Sequence, residues 1–148
     1  YKISEEPGGE GIAKVITQTG LQGRWQTLSE KPLTIADGGH NDAGIKEILK
    51  QLAITPHKKL HFVMGMVNDK SPDAILNLLP KNAAYYFCKA AIPRALPEKE
   101  LAAIAAKYQL KGELFSTVKE ALHAAQKNAA DGDLVLVGGS MFVVAEAI

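Results

Sequence analysis

No apolar run in this sequence reaches the length of a membrane span, and no basic start followed by an apolar stretch marks an export signal. Cysteine is nearly missing as well. Cys88 stands alone within an apolar run, so no disulfide framework can form, and a reducing, cytoplasmic setting is the expectation. Arginine is scarce, with Arg24 and Arg94 the only two among 17 basic residues. Against 16 acidic residues these leave a formal charge of +1, and no stripe of Lys and Arg gathers to meet a nucleic acid. His57, His61 and His123 lack metal-ligand spacing and acidic or Cys neighbours, so they read as surface or half-buried side chains. The phosphate-loop pattern G-x-x-x-x-G-K-[ST] is also lacking, so no loop here is built to cradle β- and γ-phosphates.

What is present describes one globular domain. The 148 residues are 47% hydrophobic and 22% charged, enough apolar content for a single substantial core. From Leu33 onward, apolar runs without polar alternation are separated by helical patterns. Ile45, Ile48, Leu49 and Leu52 form one helix face, and Leu60 to Met64 the next strand. Ser71 and Pro72 open a short helix, Tyr85 to Cys88 is a strand, and Leu101, Ile104, Ala105 and Tyr108 are a further stripe. A weak strand near Glu113 to Phe115 precedes a capping box at Thr117 and Glu120, with a stripe at Val118, Ala121, Leu122 and Ala125. Leu134 to Val137 then enters Gly138-Gly139-Ser140 and a last helix.

This pattern predicts an α/β, Rossmann-like three-layer domain with a mostly parallel sheet of about six strands and one antiparallel edge strand. The edge strand is expected over residues 24–28, turning at 29–32. Residues 1–22 read as a lead-in, linker-like at 4–11 and with a short helix around Ile12, Val15 and Ile16 ended by Gly20; the domain proper is expected over 23–148. The opening at Tyr1 without methionine predicts a piece of a longer chain.

Ligands of open parallel sheets bind beyond the carboxyl ends of the strands. Four segments fall there: Asp37-Gly38-Gly39-His40-Asn41, the stretch from Gly65 through Asp69 and Lys70, the stretch from Lys89 to Arg94, and Gly138-Gly139-Ser140. Asp37 can accept from a ribose diol, and His40 and Asn41 lie at a helix entrance that favours anions. The competing account is that Asp37 and Asn41 satisfy turn and cap backbone groups. Gly138-Gly139-Ser140 either rests an anion on its N–H groups or is simply a tight turn capped by Ser140. Arg24 and Arg94 fit fixed contacts to phosphate or carboxylate, or structural ion pairs. Cys88 reads as core, Tyr85 and Tyr86 as strand packing, and Asp69-Lys70 as a surface pair unless a site surrounds it.

Gly23-Arg24-Trp25-Gln26, Asp37-Gly38-Gly39-His40-Asn41, Val63-Met64-Gly65 with Asp69-Lys70, Pro93-Arg94-Ala95 and Gly139-Ser140 through Glu146 occur in one order. Together they resemble the carboxy-terminal domain of folylpolyglutamate synthase/dihydrofolate synthase, of the Mur ligase superfamily, from about Ile12 onward. The resemblance implies an ATP-dependent ligase that phosphorylates a carboxylate of dihydropteroate or folate and couples the acyl phosphate to L-glutamate. It implies that Arg24, Asp37, His40 and Asn41 face ATP, and that Lys70, Ser140 and Arg94 face glutamate. No catalytic residue is assigned to this domain. The phosphate loop, the Mg²⁺ ligands and most pterin contacts would belong to a preceding domain, without which this piece should be inactive. The family's usual segment is Asp-Gly-Ala-His-Asn-Pro; here Gly39 replaces alanine and Asp42 replaces proline, which adds a negative charge or a helix cap. Two other readings remain: a stand-alone module for an anionic metabolite or nucleotide, and a ligase of the same superfamily with another substrate.

Overall fold

The computed structural model describes residues 24–68 and 72–148. The lead-in with its short helix, and the positions of Asp69, Lys70 and Ser71, lie outside them. Within the described residues the order is β1 (Gln26–Glu30), β2 (Leu33–Asp37), α1 (Asp42–Ile54), β3 (Leu60–Met64), α2 (Asp73–Leu76), β4 (Ala84–Phe87), α3 (Glu98–Ala106), β5 (Gly112–Leu114), α4 (Val118–Asn128), β6 (Leu134–Gly138) and α5 (Met141–Ala147). The sheet runs β1-β2-β6-β3-β4-β5, with β1 antiparallel to β2 and every other pairing parallel. This is the expected architecture.

The continuous apolar runs are explained by burial on both sides. Along β6, Leu134 and Leu136 face a core shared with α1, α2 and α3, while Val135 and Val137 face a second core shared with α4 and α5. On the first face Phe62, Tyr85 and Phe87 stack in a row, with successive ring centroids 5.7 and 5.8 Å apart. Helix α1 buries Ile45, Ile48 and Leu52, and Asn41 caps it by accepting the Gly44 N–H at 2.8 Å. Helix α4 buries Val118, Ala121 and Ala125. Only half of its expected capping box forms: Thr117 accepts from the Glu120 N–H, but the Glu120 carboxylate is taken by the Ser116 hydroxyl.

The edge strand differs from expectation. It begins at Gln26 rather than at Arg24 and runs through Ser29 to Glu30, with Lys31-Pro32 alone as the turn. Trp25 is the cause. Its φ of 48° is left-handed and cannot continue a strand. A register shift between Thr27 and Ser29 then breaks the alternation that would have marked the strand in the sequence.

Candidate functional site

Parallel register brings the carboxyl ends of the strands to one rim. Asp37 on β2 and Met64 on β3 both pair with Gly138 on β6, and the Cys88 N–H beyond β4 bonds to the Met64 carbonyl at 2.9 Å. Asp37 and Ser140 are therefore neighbours at one end of the sheet.

At that rim a cleft of about 380 Å³ is lined by Arg24, Asp37, His40, Asn41, Glu47 and Met141, with Gly38 and Gly39 between them. All four residues expected to face a nucleotide line it. Asp37 is 9% exposed and organises the mouth: Oδ1 accepts the Gly39 N–H at 2.9 Å, and Oδ2 accepts the Trp25 N–H at 3.1 Å. Burial pushes the Asp37 carboxyl above its ordinary range, opposed by those two N–H groups and by the positive charge of Arg24. Each oxygen keeps a further lone pair, so the carboxylate can still accept from a ligand diol while holding the backbone. The exposed His40 is anchored by Nδ1 at 3.3 Å from the Gly38 carbonyl. A carbonyl only accepts, so this contact puts a proton on Nδ1 and leaves Nε2 open to the cleft.

Gly139 makes the turn from β6 into α5 with φ 97°, and a Cβ there would come within 2.3 Å of the Gly65 carbonyl oxygen. Ser140 follows, 3% exposed, and its hydroxyl oxygen accepts the Phe142 N–H at 3.0 Å. It is the cap of α5, and its hydroxyl hydrogen remains to be donated. Met141 reaches back over Gly38, where its thioether occupies the space a side chain at 38 would need. Arg94 lies on the loop after β4, its guanidinium carbon 5.6 Å from the centre of the Phe142 ring. Lys70 lies outside the described residues, so Arg94 and Ser140 are the described glutamate-side candidates, and both adjoin the start of α5.

A family model described as "Mur ligase, glutamate ligase domain" matches residues 23–141. The chain belongs to this family. A probable bifunctional folylpolyglutamate synthase/dihydropteroate synthase of Haloferax volcanii is 31% identical over 99% of this chain and 18% of its own length. The dihydrofolate synthase/folylpolyglutamate synthase of Escherichia coli K12 is 30% identical, over 99% of this chain and 33% of its own. Among solved structures, the bifunctional folylpolyglutamate synthase/dihydrofolate synthase of Yersinia pestis, complexed with AMPPNP and Mn ion, superposes with a TM-score of 0.75 at 30% identity, covering 84% of this chain and 30% of that one. A structure of a bifunctional enzyme of the same name with Mn, AMPPNP and L-glutamate bound gives a TM-score of 0.76 at 30% identity, covering 86% and 30%. The chain spans about a third or less of the length of these relatives.

In this Mur ligase domain the departure at position 42 has a simple structural reading. Asn41, not Asp42, caps α1, and Asp42 occupies the first turn, where a carboxylate complements the helix dipole. Its charge thus has a local use beside the cleft.

The domain also holds a polar cluster that the sequence reading missed. His61 is 3% exposed; its Nε2 lies 2.9 Å from Asp133 Oδ2 and its Nδ1 2.9 Å from the Tyr86 hydroxyl. Asn128 donates to the same hydroxyl at 3.3 Å. One arrangement satisfies every member: Nε2–H to Asp133, Tyr86 O–H to Nδ1, Asn128 to the Tyr86 oxygen. Asp133 also accepts the Lys59 and Ala130 N–H groups, and its carboxyl is held below the ordinary range, chiefly by His61. This cluster occupies the amino ends of β3 and β6, opposite the rim. It ties the sheet to α4 and is not part of the cleft. Cys88 is core as expected, its thiol pushed up to about 12, first by burial. No group of three or more His, Cys, Asp or Glu that could hold a metal ion occurs among the described residues. No helix among them is long and apolar enough to cross a membrane.

Proposed function

We propose that this chain is the nucleotide- and glutamate-side domain, over residues 23–148, of an ATP-dependent ligase that joins L-glutamate to dihydropteroate or a folate. The supporting observation is the single cleft that gathers Arg24, Asp37, His40 and Asn41 at the carboxyl end of β2. Similarity to enzymes named for folate substrates, one of them solved with AMPPNP and L-glutamate, supports a nucleotide and glutamate as the ligands.

In this reading Asp37 accepts from the ribose hydroxyls, and Arg24 offers a fixed cation to the phosphates. His40 and Asn41 line the same pocket near the amino end of α1, where N–H groups favour negative charge. Arg94 and Ser140 lie toward the amino acid, whose carboxylates suit a guanidinium and a hydroxyl donor; Lys70, outside the described residues, is proposed from the resemblance alone as an ammonium partner. The γ-phosphoryl group passes to a substrate carboxylate with ADP leaving; the glutamate amine then attacks the acyl carbon and phosphate departs. These residues contribute orientation and charge compensation, the main help a protein gives to phosphoryl transfer. The described residues include no group of three or more His, Cys, Asp or Glu that could hold Mg²⁺. The metal ligands and the phosphate loop are assigned to a preceding domain, and this domain alone should not turn over.

The test is an assay of the full-length protein with ATP, L-glutamate and either dihydropteroate or a reduced folate. Glutamate-dependent ADP release with one of these acceptors is expected. Release that needs a different carboxylate acceptor, or no glutamate-dependent release with either folate-type acceptor, overturns the folate assignment.

A further inference from the structure

The glutamate-side candidates stand on separate segments, and one face of α5 ties those segments together. The chain beyond β3 is zipped to the loop beyond β4: the Asn68 N–H bonds to the Arg94 carbonyl at 2.6 Å, the Leu96 N–H to the Met66 carbonyl at 2.8 Å, and Val67 bridges Ala95. That loop is fastened a second time, to α5. Glu146 accepts the Ala91 N–H at 2.6 Å, and the Arg94 guanidinium lies over Phe142. Phe142 and Glu146 are four residues apart on one helix, so they share the face turned to the loop.

Glu146 is an electrostatic puzzle in this location. A carboxylate beside a site for the two carboxylates of an amino acid opposes binding unless it does something else. Here one of its oxygens is engaged with the backbone of the loop that carries Arg94. Its charge is close enough to the base of that loop to help raise the Cys88 thiol.

We infer that Glu146 and Phe142 are positioning residues for the amino-acid substrate: they clamp residues 91–94 onto α5 and thereby hold Arg94 beside the Ser140 turn. The inference rests on the proposed reading of Arg94 as a glutamate contact. Loosening this second fastening gives residues 91–94 more freedom and Arg94 a less defined approach, a cost that falls on glutamate and spares the cleft lined by Arg24 and Asp37.

Steady-state kinetics of the full-length enzyme test this. Glu146→Ala should raise the KM for glutamate about tenfold while the KM for ATP stays within about twofold. Glu146→Gln should recover most of the loss, because the amide oxygen still accepts from Ala91. Phe142→Leu, which keeps apolar volume and removes the ring face, should also raise the glutamate KM and serves if Glu146→Ala does not fold. Arg94→Ala should be at least as severe, and Arg94→Ala with Glu146→Ala no worse than Arg94→Ala alone. An unchanged glutamate KM in Glu146→Ala and Phe142→Leu, with Arg94→Ala impaired, overturns the clamp and leaves the Arg94 reading standing. An unchanged KM in Arg94→Ala overturns both. Parallel losses for ATP and glutamate with a lowered Tm, or a Gln variant as impaired as Ala, reduce the pair to a structural tie and also overturn the inference.

Discussion

The carboxylate of Asp37 accepts the backbone N–H of Trp25 at 3.1 Å, twelve residues earlier in the chain. Trp25 holds a left-handed backbone at φ 48°, which costs energy for a bulky residue, and this bond helps maintain it. Arg24 precedes Trp25, so the cation of the cleft is oriented partly by the anion of the cleft.

Arg24 and Asp37 should therefore behave as one unit. In the full-length protein, Arg24→Ala and Asp37→Ala should each weaken nucleotide binding about tenfold, the scale of losing one oriented charge contact. The double variant should fall short of the product by about 1 kcal/mol, because Asp37→Ala already releases Arg24. Titration calorimetry with a non-hydrolysable ATP analogue measures the cycle. Full additivity would show that the Trp25 bond does not position Arg24. The carboxylate must be ionised to accept from ribose, and burial raises its pKa above the ordinary 3.8. Affinity should accordingly decline, as pH falls, before an ordinary aspartate would protonate. Asp37→Asn should bind weakly and lack that acid limb.

Asp133 should govern acid stability from the opposite end of the sheet. Its folded pKa lies below 3.8, so its contribution is complete above that value and is lost as pH falls from 3.8 through the lower folded one. Urea unfolding should show wild type losing stability across this window, with a flatter profile for Asp133→Asn. Asp133→Ala strands the N–H donors of His61, Lys59 and Ala130 and should cost about 3 kcal/mol at neutral pH. A cost below about 1 kcal/mol would mean that water replaces the carboxylate without penalty.

Two glycines with similar backbones should respond differently to alanine. Gly139 and Gly132 have φ of 97° and 88°. A methyl at 139 meets the Gly65 carbonyl oxygen at 2.3 Å, whereas one at 132 meets only the flexible side chain of Lys58, at 3.1 Å. Gly132→Ala should carry the conformational cost alone, about 1 kcal/mol, and Gly139→Ala about 3 kcal/mol. Thermal unfolding checks the ranking, and equal losses would rule out the carbonyl clash.

The core was readable because β3, β4 and β6 are buried on both sides and carry unbroken apolar runs. The rim was readable because glycines and polar residues follow those runs directly. Other features left no local mark. The partner of His61 is 72 residues away, so nothing around position 61 signals that the imidazole is buried and paired. The start of β1 depends on the backbone of Trp25, which no spacing rule encodes. Ser140 was legible as a small polar residue at a helix start, but its burial and cap bond come from how closely Gly139 approaches Gly65.

The strand at the middle of the sheet is the last of the six to be made. β6 lies between β2 and β3, and until it emerges from the ribosome those two strands have no partner on their facing edges. The earlier elements can condense as β1-β2 with α1 and as β3-β4-β5 with α2 and α3, two halves awaiting a keystone. Loss of residues 134–148 would consequently split the molecule down its centre instead of trimming a border, and would leave two sticky flanks open to intermolecular pairing.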